Sequence, residues 1–157
     1  MINEKRRTFL RATVASGVVA VAAATGLLKP SQVLAAEWPT KAFEAKSVDE
    51  ALTAMFGTSQ RSKSKDIEIT ANIQAENGAS VPVAVRANMP NVSAVGIYVH
   101  ENAQPLAANV NVTGGAGYLR ANIKMLKTSK VEFVAQAGGK LYTNSINIKV
   151  TAGGCGG

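Results

Sequence analysis

The sequence predicts an all-β fold: an immunoglobulin-like antiparallel β-sandwich, with one short N-terminal helix before it and a flexible Gly-rich C-terminal arm after it. Three observations predict this. Between Ile67 and Val150, apolar residues recur at every second position in about seven short runs. Turn dipeptides separate several of the runs, and a helix signature with both caps occurs once, just before the first of them. A small barrel is the alternative closure for the same strands. The chain has 157 residues, which suits one domain, and its apolar fraction of 46% excludes disorder.

The helix comes first. Ser47 and Glu50 have the spacing of a capping box, a hydroxyl at the N-cap and a carboxylate three residues on. Asp49 and Glu50 read as parts of that cap. Val48, Ala51, Leu52, Met55 and Phe56 recur at helical spacing, and Gly57 follows where a left-handed C-cap is expected. A helix of about ten residues is not stable alone, so its stripe must dock on something.

Past Gly57 the period changes to two. Ile67 and Ile69 alternate with Asp66, Glu68 and Thr70, and Asn77-Gly78 supplies a tight-turn dipeptide. Val81, Val83 and Val85 form the next run, in which Pro82 points to an edge strand or a strand start. Val95, Ile97 and Val99 follow, then the short pair Val110 and Val112. Leu119, Ala121, Ile123 and Met125 share one face, opposite Arg120, Asn122 and Lys124. Val131 to Val134 precedes a Gly138-Gly139 turn, and Ile146, Ile148 and Val150 close the series.

Charge separates the first 36 residues from the rest. The chain carries 17 Lys+Arg against 10 Asp+Glu, a net charge of +7. More than half of that excess lies in Lys5, Arg6, Arg7, Arg11 and Lys29, offset only by Glu4. The remaining basic residues are scattered, which argues against a nucleic-acid surface. Ala12 to Leu28 is apolar and uncharged, about 17 residues, at or below the length of a permanent membrane span. Val33-Leu34-Ala35-Ala36 supplies small residues for cleavage after Ala36 or Ala35. Arg6-Arg7-Thr8-Phe9-Leu10 resembles a twin-arginine export signal, with Lys5 in place of the usual Ser or Thr. Three regions follow: a removed twin-arginine leader at 1–36, a sandwich domain at 37–151 and a carrier arm at 152–157. The expected location is the periplasm, with no membrane attachment once the leader is removed.

The arm is where chemistry is expected. Ala152 to Gly157 reads AGGCGG, with Gly153, Gly154, Gly156 and Gly157 flanking Cys155, the one cysteine of the chain. A backbone so rich in glycine has little conformational preference. From Val150 the thiol reaches about 17 Å when the segment is extended. One cysteine excludes an internal disulfide, and one cysteine with one histidine, His100, excludes a structural zinc site. No Lys, Arg or His lies within five residues of Cys155 to lower its pKa, and no base is at hand. Prenylation needs the cysteine one residue farther from the end, in a cytosolic protein. A thiol on a tether without its own base suits a carrier activated by other proteins. An intermolecular disulfide to another subunit is the competing use. His100 reads as an ordinary surface or interface histidine. Trp38 reads as packing on the sandwich or on a partner, and Glu76-Asn77 as turn chemistry.

Lys149-Val150-Thr151-Ala152-Gly153-Gly154-Cys155-Gly156-Gly157 resembles the ending of the SoxY family of the sulfur-oxidation (Sox) system. Ala75-Glu76-Asn77-Gly78-Ala79-Ser80-Val81-Pro82-Val83 is similar to that family's Ala-Glu-Asn-Gly-x-x-Val-Pro segment. Ile123-Lys124-Met125 and Lys140-Leu141-Tyr142 are similar to its later strands. Asn122 stands where the family usually has arginine, and Asn102-Ala103-Gln104-Pro105 matches a more proline-rich segment only loosely. The resemblance implies a carrier rather than an enzyme, with no cofactor of its own and Cys155 as the covalent attachment site. It implies that thiosulfate is joined oxidatively to that cysteine by a haem enzyme, that a hydrolase removes sulfate, and that a sulfane dehydrogenase acts on the remaining sulfur. It also implies a heterodimer with a SoxZ-like subunit, whose co-export in folded form would account for a twin-arginine leader. The alternative is a structural periplasmic sandwich subunit whose Cys155 forms a disulfide with a partner.

Overall fold

The computed structural model describes residues 38–151. Two helices, α1 (Thr40–Glu44) and α2 (Val48–Phe56), precede nine strands: β1 (Arg61–Lys63), β2 (Ile67–Ala71), β3 (Gln74–Ala75), β4 (Val81–Ala87), β5 (Val92–Val99), β6 (Leu106–Asn111), β7 (Gly117–Ile123), β8 (Ser129–Ala137) and β9 (Lys140–Val150). All of them lie in a unit that begins at Pro39. No described helix is long and apolar enough to cross a membrane.

The capped helix forms as its residues dictate. The Ser47 hydroxyl accepts a hydrogen bond from the Glu50 amide, and Gly57 adopts φ 76° with its N–H donating to the Thr53 carbonyl. The Glu50 carboxylate reaches one residue farther back than a capping box requires and accepts from the Lys46 amide at 2.9 Å. Asp49 does not cap; it pairs with Arg61 instead. A five-residue helix, α1, adds to the single helix expected.

The strands form two sheets. The larger has the order β1-β9-β8-β5-β6, with β3 also on β9; the smaller has β2-β4-β7. All seven runs of alternating residues are strands. β8 and β9 form a hairpin over Gly138-Gly139, both at positive φ, with Ala137 opposite Lys140. Asn77-Gly78 does not make such a hairpin, since neither residue has positive φ; Asn77 instead accepts the Ala79 amide on its Oδ1 at 2.8 Å. Pro82 stands at the start of β4, one of the two places expected for it; β4 is the central strand of the smaller sheet rather than an edge, and Pro82 sits one residue beyond the register that β4 shares with β2. Its missing N–H therefore breaks no bond in the β2–β4 ladder.

Two further strands, β1 and β3, are short and polar. Both pair with β9, and both are parallel to it, so the sandwich is not purely antiparallel. Between them the chain steps into the other sheet as β2. The edge of β9 is thus covered near its beginning and near its end, which leaves little of it open to another chain.

The faces of each strand follow the layers. Val95, Ile97 and Val99 of β5 and Val131, Phe133 and Ala135 of β8 meet Val81, Val83 and Val85 of β4 between the sheets. The opposite faces of β5 and β8 are also buried, because the helices lie over them: Ala42, Val48, Ala51 and Leu52 pack on Tyr98, Leu106, Val134 and Leu141. The stripe of α2 therefore docks on the outer face of the larger sheet. Leu52 is fully buried there, so Leu52→Ala is expected to lower the unfolding free energy by about 2–5 kcal/mol. A urea titration tests this, and an unchanged midpoint would mean that the helix is not docked.

Candidate functional site

Cys155 and its neighbours Gly153, Gly154, Gly156 and Gly157 lie outside the described residues, as do residues 1–36, expected as a leader. The structure does describe the place from which that segment departs. The β8–β9 ladder ends at Ser129 opposite Ile148. Beyond it, the Lys149 amide donates to the Ile73 carbonyl at 2.8 Å and the Thr151 amide to the Ala75 carbonyl at 3.0 Å. The Val150 amide points the other way and donates to Thr128 Oγ1 at 3.0 Å. The segment after Ala75 turns through Asn77, and the Gly78 carbonyl accepts the Met125 amide at 2.7 Å. Asn102 holds the 124–126 connection from its other side, accepting the Leu126 amide and donating to the Lys124 carbonyl. Ile73 and Leu126 flank this end of β9, 70% and 42% exposed.

The structure gathers ionisable groups elsewhere, on the helix-covered face of the larger sheet. Glu132 of β8 has a side chain only 3% exposed. Arg61 of β1 donates to its Oε1 through Nε, and Thr143 of β9 donates to the same oxygen at 2.8 Å. His100 Nε2 lies 2.7 Å from Oε2, and Lys130 Nζ 3.5 Å from it. Arg61 also reaches Asp49 Oδ1 at 2.7 Å and the Ser59 carbonyl at 2.8 Å. Burial pushes the Glu132 carboxyl up, but the hydrogen bonds from Arg61, Thr143 and His100 together outweigh it and bring its pKa down to about 2. Tyr98 lies fully buried in the same layer, and burial first, then the Glu132 charge, raises its phenol above the ordinary value. His100, expected as an ordinary surface or interface histidine, is one of the groups hydrogen-bonded to the Glu132 carboxylate. A cleft of about 610 Å³ beside it is lined by Arg61, Lys63, Lys130, Glu132 and Asn144 among others.

Among the described residues no group of three or more His, Cys, Asp or Glu is placed to hold a metal ion. Arg120 and Asn122 lie exposed on the outward face of β7, with Pro82 opposite Asn122. Trp38 is 67% exposed. The Glu76-Asn77-Gly78 segment, expected as a turn, follows directly on the 73–75 strip to which the end of β9 bonds. Thr128 gave no signal in the sequence: its role depends on a strand end being delivered to it by the fold.

A family model described as "Sulfur oxidation protein SoxY" matches residues 52–155, a span that runs from α2 through the held end of β9 to the cysteine. The chain belongs to the SoxY family. Among solved structures it is similar to the sulfur carrier protein SoxY from Chlorobium limicola, with 36% identity and a TM-score of 0.58 over 68% of this chain and 97% of that one. A superoxide reductase (neelaredoxin) from Ignicoccus hospitalis aligns at a TM-score of 0.48 and 18% identity, over 54% of this chain and 79% of that one, and adds nothing to the assignment. No curated protein sequence matches the chain. The two-sheet architecture and the SoxY match agree on the sandwich expected from the alternating runs.

Glu132 makes stability depend on pH in a stated direction. Its folded pKa lies below the ordinary 4.5, so its contribution is complete above pH 4.5 and is lost as pH falls towards 2. Glu132→Gln is expected to destabilise the chain by about 3 kcal/mol at neutral pH, since it breaks a buried pair from one side. Denaturant titrations across that acid range are expected to show a flatter profile for the variant; parallel profiles would remove Glu132 from the account.

Proposed function

We propose that this chain is a covalent carrier of sulfur-oxidation intermediates, bound through Cys155 and presented to separate enzymes. The observation that supports this most is that the SoxY match reaches the cysteine itself, on a chain similar to a solved sulfur carrier protein. In this reading the protein is periplasmic after twin-arginine export, works as a heterodimer with a SoxZ-like subunit, and is not an enzyme on its own.

The chemistry asked of Cys155 is modest. The thiol loses its proton and joins the outer sulfur of thiosulfate, forming an S–S bond and giving up two electrons to a haem enzyme. The product is a cysteine S-thiosulfonate. Water then cleaves the bond between the outer sulfur and the sulfonate, releasing sulfate and leaving a persulfide on Cys155. A sulfane dehydrogenase takes the remaining sulfur. Neither step requires a base on this chain, and the sequence around Cys155 has no cationic side chain to lower the thiol pKa. Glycine flanks let the backbone enter a narrow channel without side chains to exclude it.

Intact mass spectrometry of the protein purified from a host periplasm, with and without reductant, tests this. Reducible adducts of sulfur or thiosulfonate mass are expected on the wild type and none on Cys155→Ser. A single disulfide to another chain, with no sulfur adduct, would replace the carrier by a tethered structural subunit.

A further inference from the structure

The end of β9 outlasts its ladder with β8, which stops at Ile148, and is held there by its parallel pairing with β3 and by one side-chain hydroxyl. A strand end past its ladder frays unless its amides find other partners. Here the next three amides are all satisfied, alternately from two sides: Lys149 and Thr151 by the carbonyls of Ile73 and Ala75, Val150 by the Thr128 hydroxyl. The two sides are themselves joined, because Met125 donates to Gly78. Segments 73–78, 125–128 and 149–151 therefore close a ring of hydrogen bonds around the end of the strand. Thr128 is exposed, and its bond to Val150 lies at the surface.

We propose that this ring is a collar that sets the pivot of the carrier segment, and that Thr128 is a positioning residue for the Cys155 thiol. The inference rests on the carrier reading and deepens it. With the collar closed, the tether begins after Thr151, and Cys155 stays within about 14 Å of that pivot. With residues 149–151 released, the same thiol ranges over about 24 Å. Local concentration falls as roughly the −3/2 power of tether length, so the loss is about two-fold. The collar thus fixes the origin of the tether at the end of β9, beside the exposed Ile73, and an enzyme acting on Cys155 meets it within the shorter radius. Ala75-Glu76-Asn77-Gly78 then has a role of its own, as one bank of the collar.

The test uses the full mature chain with a nitroxide on Cys155, its one cysteine, read by electron paramagnetic resonance. Thr128→Val keeps the shape and removes the hydroxyl; Thr128→Ser keeps the hydroxyl. Faster nitroxide motion is expected in Thr128→Val at an unchanged melting temperature, with wild-type motion in Thr128→Ser. In thiosulfate loading by the partner enzyme, KM is expected to rise in Thr128→Val with kcat unchanged, up to a limit of about two-fold reached when the Lys149 and Thr151 bonds let go as well. Identical nitroxide spectra in folded wild type and Thr128→Val would overturn the collar, as would failure of Thr128→Ser to restore the wild-type spectrum. Should Thr128→Val not fold, hydrogen exchange in the wild type decides: protection of the Val150 and Thr151 amides supports the collar, and fast exchange overturns it. Sulfur adducts on Cys155 with unchanged spectra would sink the collar and leave the carrier. Altered spectra without adducts would do the reverse.

Discussion

A charged carboxylate at the centre of a sheet has to be surrounded by donors or give up its charge, and much of this structure is arranged around that constraint at Glu132. Arg61 comes from β1, Thr143 from β9, His100 from the end of β5, and Lys130 from β8 itself. Arg61 in turn brings in Asp49, so α2 is fastened to the sheet by charge as well as by its apolar stripe. The pairing of β1 with β9 would otherwise rest on three polar residues, a length too short to be stable alone. A buried ion pair of this kind contributes little net free energy, because desolvation offsets attraction. What it does contribute is register: Arg61 fits the carboxylate only when β1 lies opposite Leu141 to Thr143.

The two ends of β9 do different work. Its beginning belongs to the ionic layer, through Thr143. Its end belongs to the rim, where backbone carbonyls of 73–75 and one threonine hydroxyl take over as the ladder stops. The same strand therefore joins the most deeply buried charge of the described domain to the position from which the cysteine-bearing segment leaves. β1 and β3 bracket this strand at the two places, and neither pairs elsewhere.

Much of the architecture was legible in the residues. Seven strands and α2 follow from apolar periodicity, because each packs a face against a core and the pattern records that face. The hairpin at Gly138-Gly139 was legible because only glycine accepts two successive positive φ values readily. β1 and β3 were not, since backbone pairing holds them and their side chains are largely polar; the first half of β9 had no alternating signal because Leu141 and Tyr142 pack on opposite faces. Glu132 was hidden for a related reason: one acid in an apolar run looks solvent-facing until other elements deliver donors to it. Asp49 was assigned to the helix cap because its partner Arg61 lies on a strand with no periodic signal. Residues 1–36, expected as a leader, and Cys155 fall outside the described residues; the family match reaches Cys155 but not residues 1–36.

The parallel cover on β9 also has a consequence for assembly. β9 is the last strand in chain order, yet it lies between β8 and the early segments β1 and β3. Arg61 pairs in register with Leu141, and Gln74 with Lys149, so these contacts close loops of most of the domain. Contacts between residues so far apart in sequence slow folding, because loop-closure entropy is lost before they form. The early segments therefore wait, unpaired, until β9 has been synthesised. The root of the segment that carries Cys155 and the seat of Glu132 both depend on pairing with β9, so neither is complete before the last strand is in place.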